Sequence, residues 1–190
     1  MKIIQHLIAV LIILISAQPG MAQAKTQKKK LEIKVKMAPV KPSEMTREEL
    51  MKLARSTHIY KNLEGAKLND VNLTGVNFNS ANLTDANLKK AVLRDAVLCR
   101  ADLTYANLEL SLLDGADMNS AVLVGATLTG ASMRDVDLSN ADLTGANLRK
   151  ANLVNANFSN ADLTNADLGE AKTNNTIFAG AIMPDGTVHP

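Results

Sequence analysis

"ADLTGANLRKANLVNANFSNADLTNADL", residues 141–168, repeats one short word: Ala, then Asn or Asp, then Leu or Phe, every five residues. A helix cannot use this beat. Five residues at 100° each advance the apolar position by about 140° per word and spread it around the whole cylinder. A straight strand fails as well, because a side-chain period of two sends alternate words of an odd repeat to opposite faces. The apolar residues stay on one side only if the chain turns once per word, on the two polar residues that follow each Leu or Phe. In twelve of the words the second of these is Gly65, Gly75, Gly115, Gly125, Gly130, Gly145 or Gly180, or Asn140, Asn155, Asn160, Asn165 or Asn175. These residue types accept turn geometry at small cost.

With the Leu or Phe taken as the centre of a cell, the register extends outward to Lys61 and Asp185 and comprises twenty-five consecutive cells. Eighteen centres are Leu, three are Phe and three are Met, so Thr173 is the one polar centre; two places earlier, nineteen cells have Ala. Each cell is therefore a very short extended piece and a corner, with small Ala and large Leu facing inward. Pieces this short cannot bury themselves alone and must coil so that each turn lies on the one before, which defines a β-solenoid.

The run closely resembles the pentapeptide repeat family, whose pattern is A(N/D)LXX. The resemblance spans about two thirds of the chain. It implies an all-β fold, a right-handed quadrilateral β-helix with four cells per coil. On that expectation the cells make about six coils, or roughly 30 Å of rod at the ~4.8 Å spacing of stacked strands. Residues twenty apart would then stack, and the column Phe78, Leu98, Met118, Leu138, Phe158, Phe178 collects every Phe of the chain on one side.

What precedes the repeats is a different kind of sequence. Residues 1–60 hold eleven Lys and Arg against four acids, whereas residues 61–190 hold ten against fifteen. The first 24 residues have a basic start at Lys2, an apolar run from Leu7 to Ile15, and small residues Ala22 and Ala24 before Lys25. This is the anatomy of a cleavable export signal. A retained membrane anchor is the alternative, although the apolar run is far shorter than the ~20 residues a spanning helix needs. Residues 25–43 read as a basic linker, either simply solvated or in weak contact with an anionic membrane. Within 44–60, Thr46 and Glu49 form a capping-box pattern, with Leu50, Leu53 and Ala54 on one face. They predict a short helix from about Thr46 to Arg55 that covers the first coil. Residues 61–185 are the solenoid and 186–190 a tail, closed by a Pro-Asp-Gly turn. That end looks thinly capped, and the resemblance implies end-to-end homodimers as one form of association.

The side chains that carry chemistry are sparse. Only His58 and His189 follow the signal, at opposite ends of the remaining chain, and Cys99 is the only cysteine. No His, Cys and carboxylate cluster has metal-ligand spacing and no nucleophile has a base nearby in sequence. The expectation is a protein that is not an enzyme and holds no cofactor or metal. Cys99 sits at a corner beside Arg100, which either lowers its pKa slightly or leaves an inert surface thiol.

Two function classes remain. The first is an exported scaffold or protein-interaction module, in the periplasm or, following the resemblance to exported proteins of photosynthetic bacteria, the thylakoid lumen. Its contact with an unidentified protein partner falls on one side of the rod, where Glu64, Asp85, Asp102, Asp142 and Asp162 gather nearly unmixed negative charge that steers association. The second is a mimic of duplex DNA that modulates DNA gyrase, as some family members do. The export signal, the small net charge and the basic pairs Lys89-Lys90 and Arg149-Lys150 argue against the mimic. No direct binding of nucleic acid is expected.

Overall fold

The computed structural model describes residues 62–190, together with Thr46, Glu48, Glu49, Lys52 and Arg55. All of them lie in the unit Ala38–Pro190. The signal, the basic linker and the remainder of the expected capping segment lie outside the described residues. At Thr46 the capping box is formed. The Thr46 N–H and hydroxyl each donate to Glu49 Oε2 at 2.8 Å, and the Glu49 N–H donates back to Thr46 Oγ1 at 3.3 Å. Glu48, Glu49 and Lys52 are helical, and Glu48 pairs with Lys52 one turn on at 3.2 Å. Among the described residues no helix is long and apolar enough to cross a membrane.

From Asn62 onward each outward residue before a centre pairs in parallel with the residue twenty positions later. Four cells therefore close one coil, and six coils stack over 62–180. Side one carries Asn62, Asn82, Asp102, Val122, Asp142, Asp162 and Ile182, one above another; sides two, three and four begin at Lys67, Asn72 and Asn77. The ladder is regular: the Leu103 N–H donates to Val122 O at 2.7 Å, and the Asp102 N–H donates to Ala81 O at 2.9 Å. Ala and Leu point inward along the whole column, and Leu103, Leu123 and Leu143 are fully buried. Each such Leu contributes about 1.5–3 kcal/mol. Phe158 and Phe178, twenty apart, stack with ring centroids 5.4 Å apart.

Corner chemistry is broader than the Gly and Asn pattern suggested. Every corner from Gly65 to Gly180 has a positive φ, between 54° and 72°, and seventeen of these residues are not glycine, among them Tyr105, Leu110 and Lys150. A left-handed residue with a Cβ costs ~1–2 kcal/mol. The stack imposes the conformation regardless, because the corner N–H must reach the carbonyl of the next coil, as Tyr105 does to Val124 at 2.9 Å.

The two ends of the rod differ. In the first coil Leu63 and Leu68 are as buried as residues in mid-rod, whereas in the last coil Leu168 is partly exposed and Thr173 is exposed. At the C-terminal end the left-handed corner moves from Asp185 to Gly186, and the chain folds back so that Val188 pairs antiparallel with Ile182. Asp185 receives hydrogen bonds from the Thr187 hydroxyl and N–H, which hold its carboxyl below the usual range. This hairpin covers side one and the Gly180 corner of side four, whose N–H donates to His189 O at 2.9 Å. On sides two and three the last coil ends in the N–H groups of Leu168, Glu170, Thr173 and Asn175, which have no ladder partner among the described residues.

Candidate interaction surface

Side one brings the five predicted carboxylates together as a strip along the rod. Glu64 and Asp85 lie on the first two coils, Asp102 on the third, and Asp142 and Asp162 on the fifth and sixth, where they are direct ladder neighbours. The fold uses only part of each side chain. Asp102 Oδ1 accepts the Thr104 N–H at 3.0 Å, and Asp162 Oδ1 accepts the Thr164 N–H at 2.8 Å. Asp142 Oδ1 accepts both the Thr144 N–H at 3.0 Å and its hydroxyl at 2.7 Å. These bonds brace the corner as Asx turns. Asn82, in the same column, makes the identical bond to Thr84 at 3.0 Å without a charge. The turn therefore needs an oxygen at this position and does not need its negative charge.

Among the described residues no cation pairs with these carboxylates. Among the described residues the ion pairs of the rod lie on other sides. Lys89 pairs with Glu109 at 2.6 Å and Arg149 with Glu170 at 2.7 Å on side two, while Arg94 approaches Asp114 at 3.7 Å on side three. The basic pairs are thus largely neutralised in place and do not interrupt side one.

The middle of side one was not anticipated from the sequence. In the fourth coil the cell at 121–125 reads Ala-Val-Leu-Val-Gly. Val122 stands in the Asn/Asp column and Val124 in the Thr column, both half-buried. Tyr105, at the corner one coil earlier, is 64% exposed and lies against Gly125; a Cβ added there would fall 2.5 Å from the ring. Glycine at 125 is what lets the ring lie flat along the rod. The signal was present in the sequence as two Val residues displacing the usual Asn or Asp and Thr, but it becomes a patch only once residues twenty apart are stacked.

Elsewhere on the rod the chemistry is muted. Among the described residues no group of three His, Cys, Asp or Glu side chains stands ready for a metal ion. His189 packs its ring near Phe178, with centroids 5.9 Å apart. Of the two readings of Cys99, the inert thiol holds and the lowering by Arg100 does not. The thiol is half-buried, and burial, together with its hydrogen bond to the Asp117 carboxylate, pushes it up to about 11. It is a poor nucleophile at neutral pH.

The chain matches the family model described as pentapeptide repeats in eight copies, over residues 62–95, 81–119, 91–130 and 131–169. Solved structures of similar proteins include HetL, a pentapeptide repeat protein involved in heterocyst differentiation regulation from the cyanobacterium Nostoc. It is 30% identical, over 67% of this chain and 76% of that one, with a TM-score of 0.41. A pentapeptide repeat protein of the Arabidopsis thaliana thylakoid lumen is 24% identical, over 66% of this chain and 70% of that one, with a TM-score of 0.39. QnrB1, a plasmid-mediated fluoroquinolone resistance protein, is 16% identical, over 65% and 72%, with a TM-score of 0.38. No curated protein matches the chain. With its repeats matched over more than half its length and stacked twenty residues per coil, the chain belongs to the pentapeptide repeat family.

Proposed function

We propose that the chain is a non-catalytic, exported scaffold that engages a protein partner through side one, with the segment at 44–60 closing the first coil. The observation that carries the reading is the strip of Asp102, Asp142 and Asp162, whose charges neither the corners nor any ion pair among the described residues consumes. Uncompensated charge of one sign costs self-repulsion and raises the rate of encounter with a partner of the opposite sign. The export component rests on the sequence of the first 24 residues, and the cap on the complete burial of Leu63 and Leu68.

The test replaces Asp102, Asp142 and Asp162 by Asn, a residue the repeat already uses at this position. Folding should be preserved, while cross-linking to the envelope partner captured by the parent protein should fade. Equal capture by parent and triple variant would remove side one as the interface. Inhibition of gyrase supercoiling by the parent, with the protein found in the cytoplasm on fractionation, would instead establish the duplex-mimic reading.

A further inference from the structure

Charge alone specifies little about what side one would hold. The apolar cell in its centre specifies more. Between Asp102 and Asp162, Val122 and Val124 interrupt the acidic and threonine columns in a single cell, the next apolar residue of the column being Ile182 at its C-terminal end, and Tyr105 adds a largely exposed ring beside them. Asp102 flanks this cell one coil before it and Asp142 one coil after, with Asp162 a coil further on. An apolar spot thus sits between unpaired carboxylates on a flat, hydrogen-bonded surface.

We propose that side one docks an extended cationic polypeptide segment along the rod, with an apolar residue seated on Val122, Val124 and Tyr105 and a Lys or Arg on each flank meeting Asp102 and Asp142. The spacing suits this occupant. Neighbouring coils are ~4.8 Å apart, and alternate residues of an extended chain lie ~6.6 Å apart on one side. The pattern cation, any residue, apolar residue, any residue, cation therefore places its charges over the carboxylates, with the flexible stems of Lys or Arg taking up the difference. Other occupants fit less well. A second copy presenting the same side would oppose acid to acid. Nucleic acid and anionic lipid share the sign of the strip and are repelled.

This inference rests on the side-one interface proposed above and deepens it. The probe is the peptide Lys-Ser-Lys-Ser-Trp-Ser-Lys-Ser-Lys, capped at both ends and added to the purified full chain. The protein has no Trp, so indole emission reports on the peptide alone. Saturable binding with a blue shift of that emission is expected. A variant carrying Tyr105→Asn, Val122→Asn and Val124→Thr uses residues found in the same columns at Asn165, Asn82 and Thr144 and leaves the net charge unchanged. It should lose the blue shift and bind roughly tenfold more weakly, as truncation of a central anchor does. The Asp102→Asn, Asp142→Asn, Asp162→Asn variant should also bind more weakly and lose most of the salt dependence. Circular dichroism and melting curves of both variants, matching the parent's, verify that each is folded. A shift retained by the first variant, or equal binding of a peptide with Ser in place of Trp, overturns the apolar anchor and leaves the acidic interface standing. Undiminished binding by the Asp→Asn variant overturns both.

Discussion

Replacing Leu123 by Ala tests the stacking itself. Leu123 is fully buried in the fourth coil, its N–H bonded to Asp142 O at 2.6 Å and its carbonyl accepting the Ala126 N–H at 3.0 Å. The substitution removes three carbons, worth about 2.4 kcal/mol in transfer free energy at ~0.8 kcal/mol each. Coils above and below hold the walls apart, so a cavity remains and the loss should reach about 3–4 kcal/mol. That is a large part of the ~5–15 kcal/mol that stabilises a typical domain. Leu168 offers the internal comparison. It is only partly buried, in the last coil, where no described residue is laddered beyond it on side two. Its truncation opens no closed cavity, and in a rod whose coils contact only their neighbours the effect stays local, so about 1 kcal/mol is expected.

Urea unfolding followed by far-ultraviolet circular dichroism separates the two variants. The midpoint should fall strongly for Leu123→Ala and little for Leu168→Ala, with the slope unchanged if the rod still unfolds as one unit. Equal midpoints would mean that the two positions share one environment, and the assignment of an inner column closed in the middle and open at the end would be wrong.

Two further outcomes follow from single side chains. Ser111 is fully buried at an inward Ala position, and its hydroxyl has no hydrogen-bond partner. Ser111→Ala should therefore stabilise the fold by about 1 kcal/mol, because an unsatisfied buried hydroxyl is a cost; a lower urea midpoint would contradict this. Cys99 should react slowly with a disulfide reagent at neutral pH in the folded protein, and its rate should rise as pH approaches 11. The folded state holds the thiol proton more tightly than the unfolded chain, whose thiol titrates near 9. The associated stability is thus complete below that pH and is lost as pH rises through 11. A folded-state reactivity already at plateau by pH 9 would show that the thiol is free of Asp117.

The architecture was legible because a five-residue beat leaves few solutions. Leu103 and Leu143 are inward for the reason the sequence gives: a corner after each centre is the one way to keep them on a common side. The features that escaped the sequence all depend on neighbours about twenty residues away. Cys99 is beside Arg100 in the chain, yet its pKa is set by burial and by Asp117 of the next coil. Tyr105 reads as an ordinary corner residue until Gly125 is placed beneath its ring. The wide choice of corner residues has the same origin. Local propensity favours Gly or Asn in the left-handed region, but hydrogen bonds from the adjoining coil decide, and Lys, Leu and Tyr comply.

The same reasoning separates structural carboxylates from available ones. On side four, Asp137 Oδ1 accepts the Ser139 N–H at 2.9 Å, the Ser139 hydroxyl at 2.6 Å and the Asn157 amide at 3.1 Å. On side three, Asp114 takes the Ser132 hydroxyl at 2.5 Å and the Arg134 N–H at 3.1 Å, with Arg94 close by. Donors of this number hold a carboxylate in place and absorb much of its field. Asp102 and Asp162 accept one N–H each, and Asp142 adds only a hydroxyl from its own corner. Their second oxygens have no partner among the described residues. Asp102, Asp142 and Asp162 therefore keep more charge to offer a cation from outside than Asp114 or Asp137 does, and they frame the one cell in their column where the polar pattern gives way to valine.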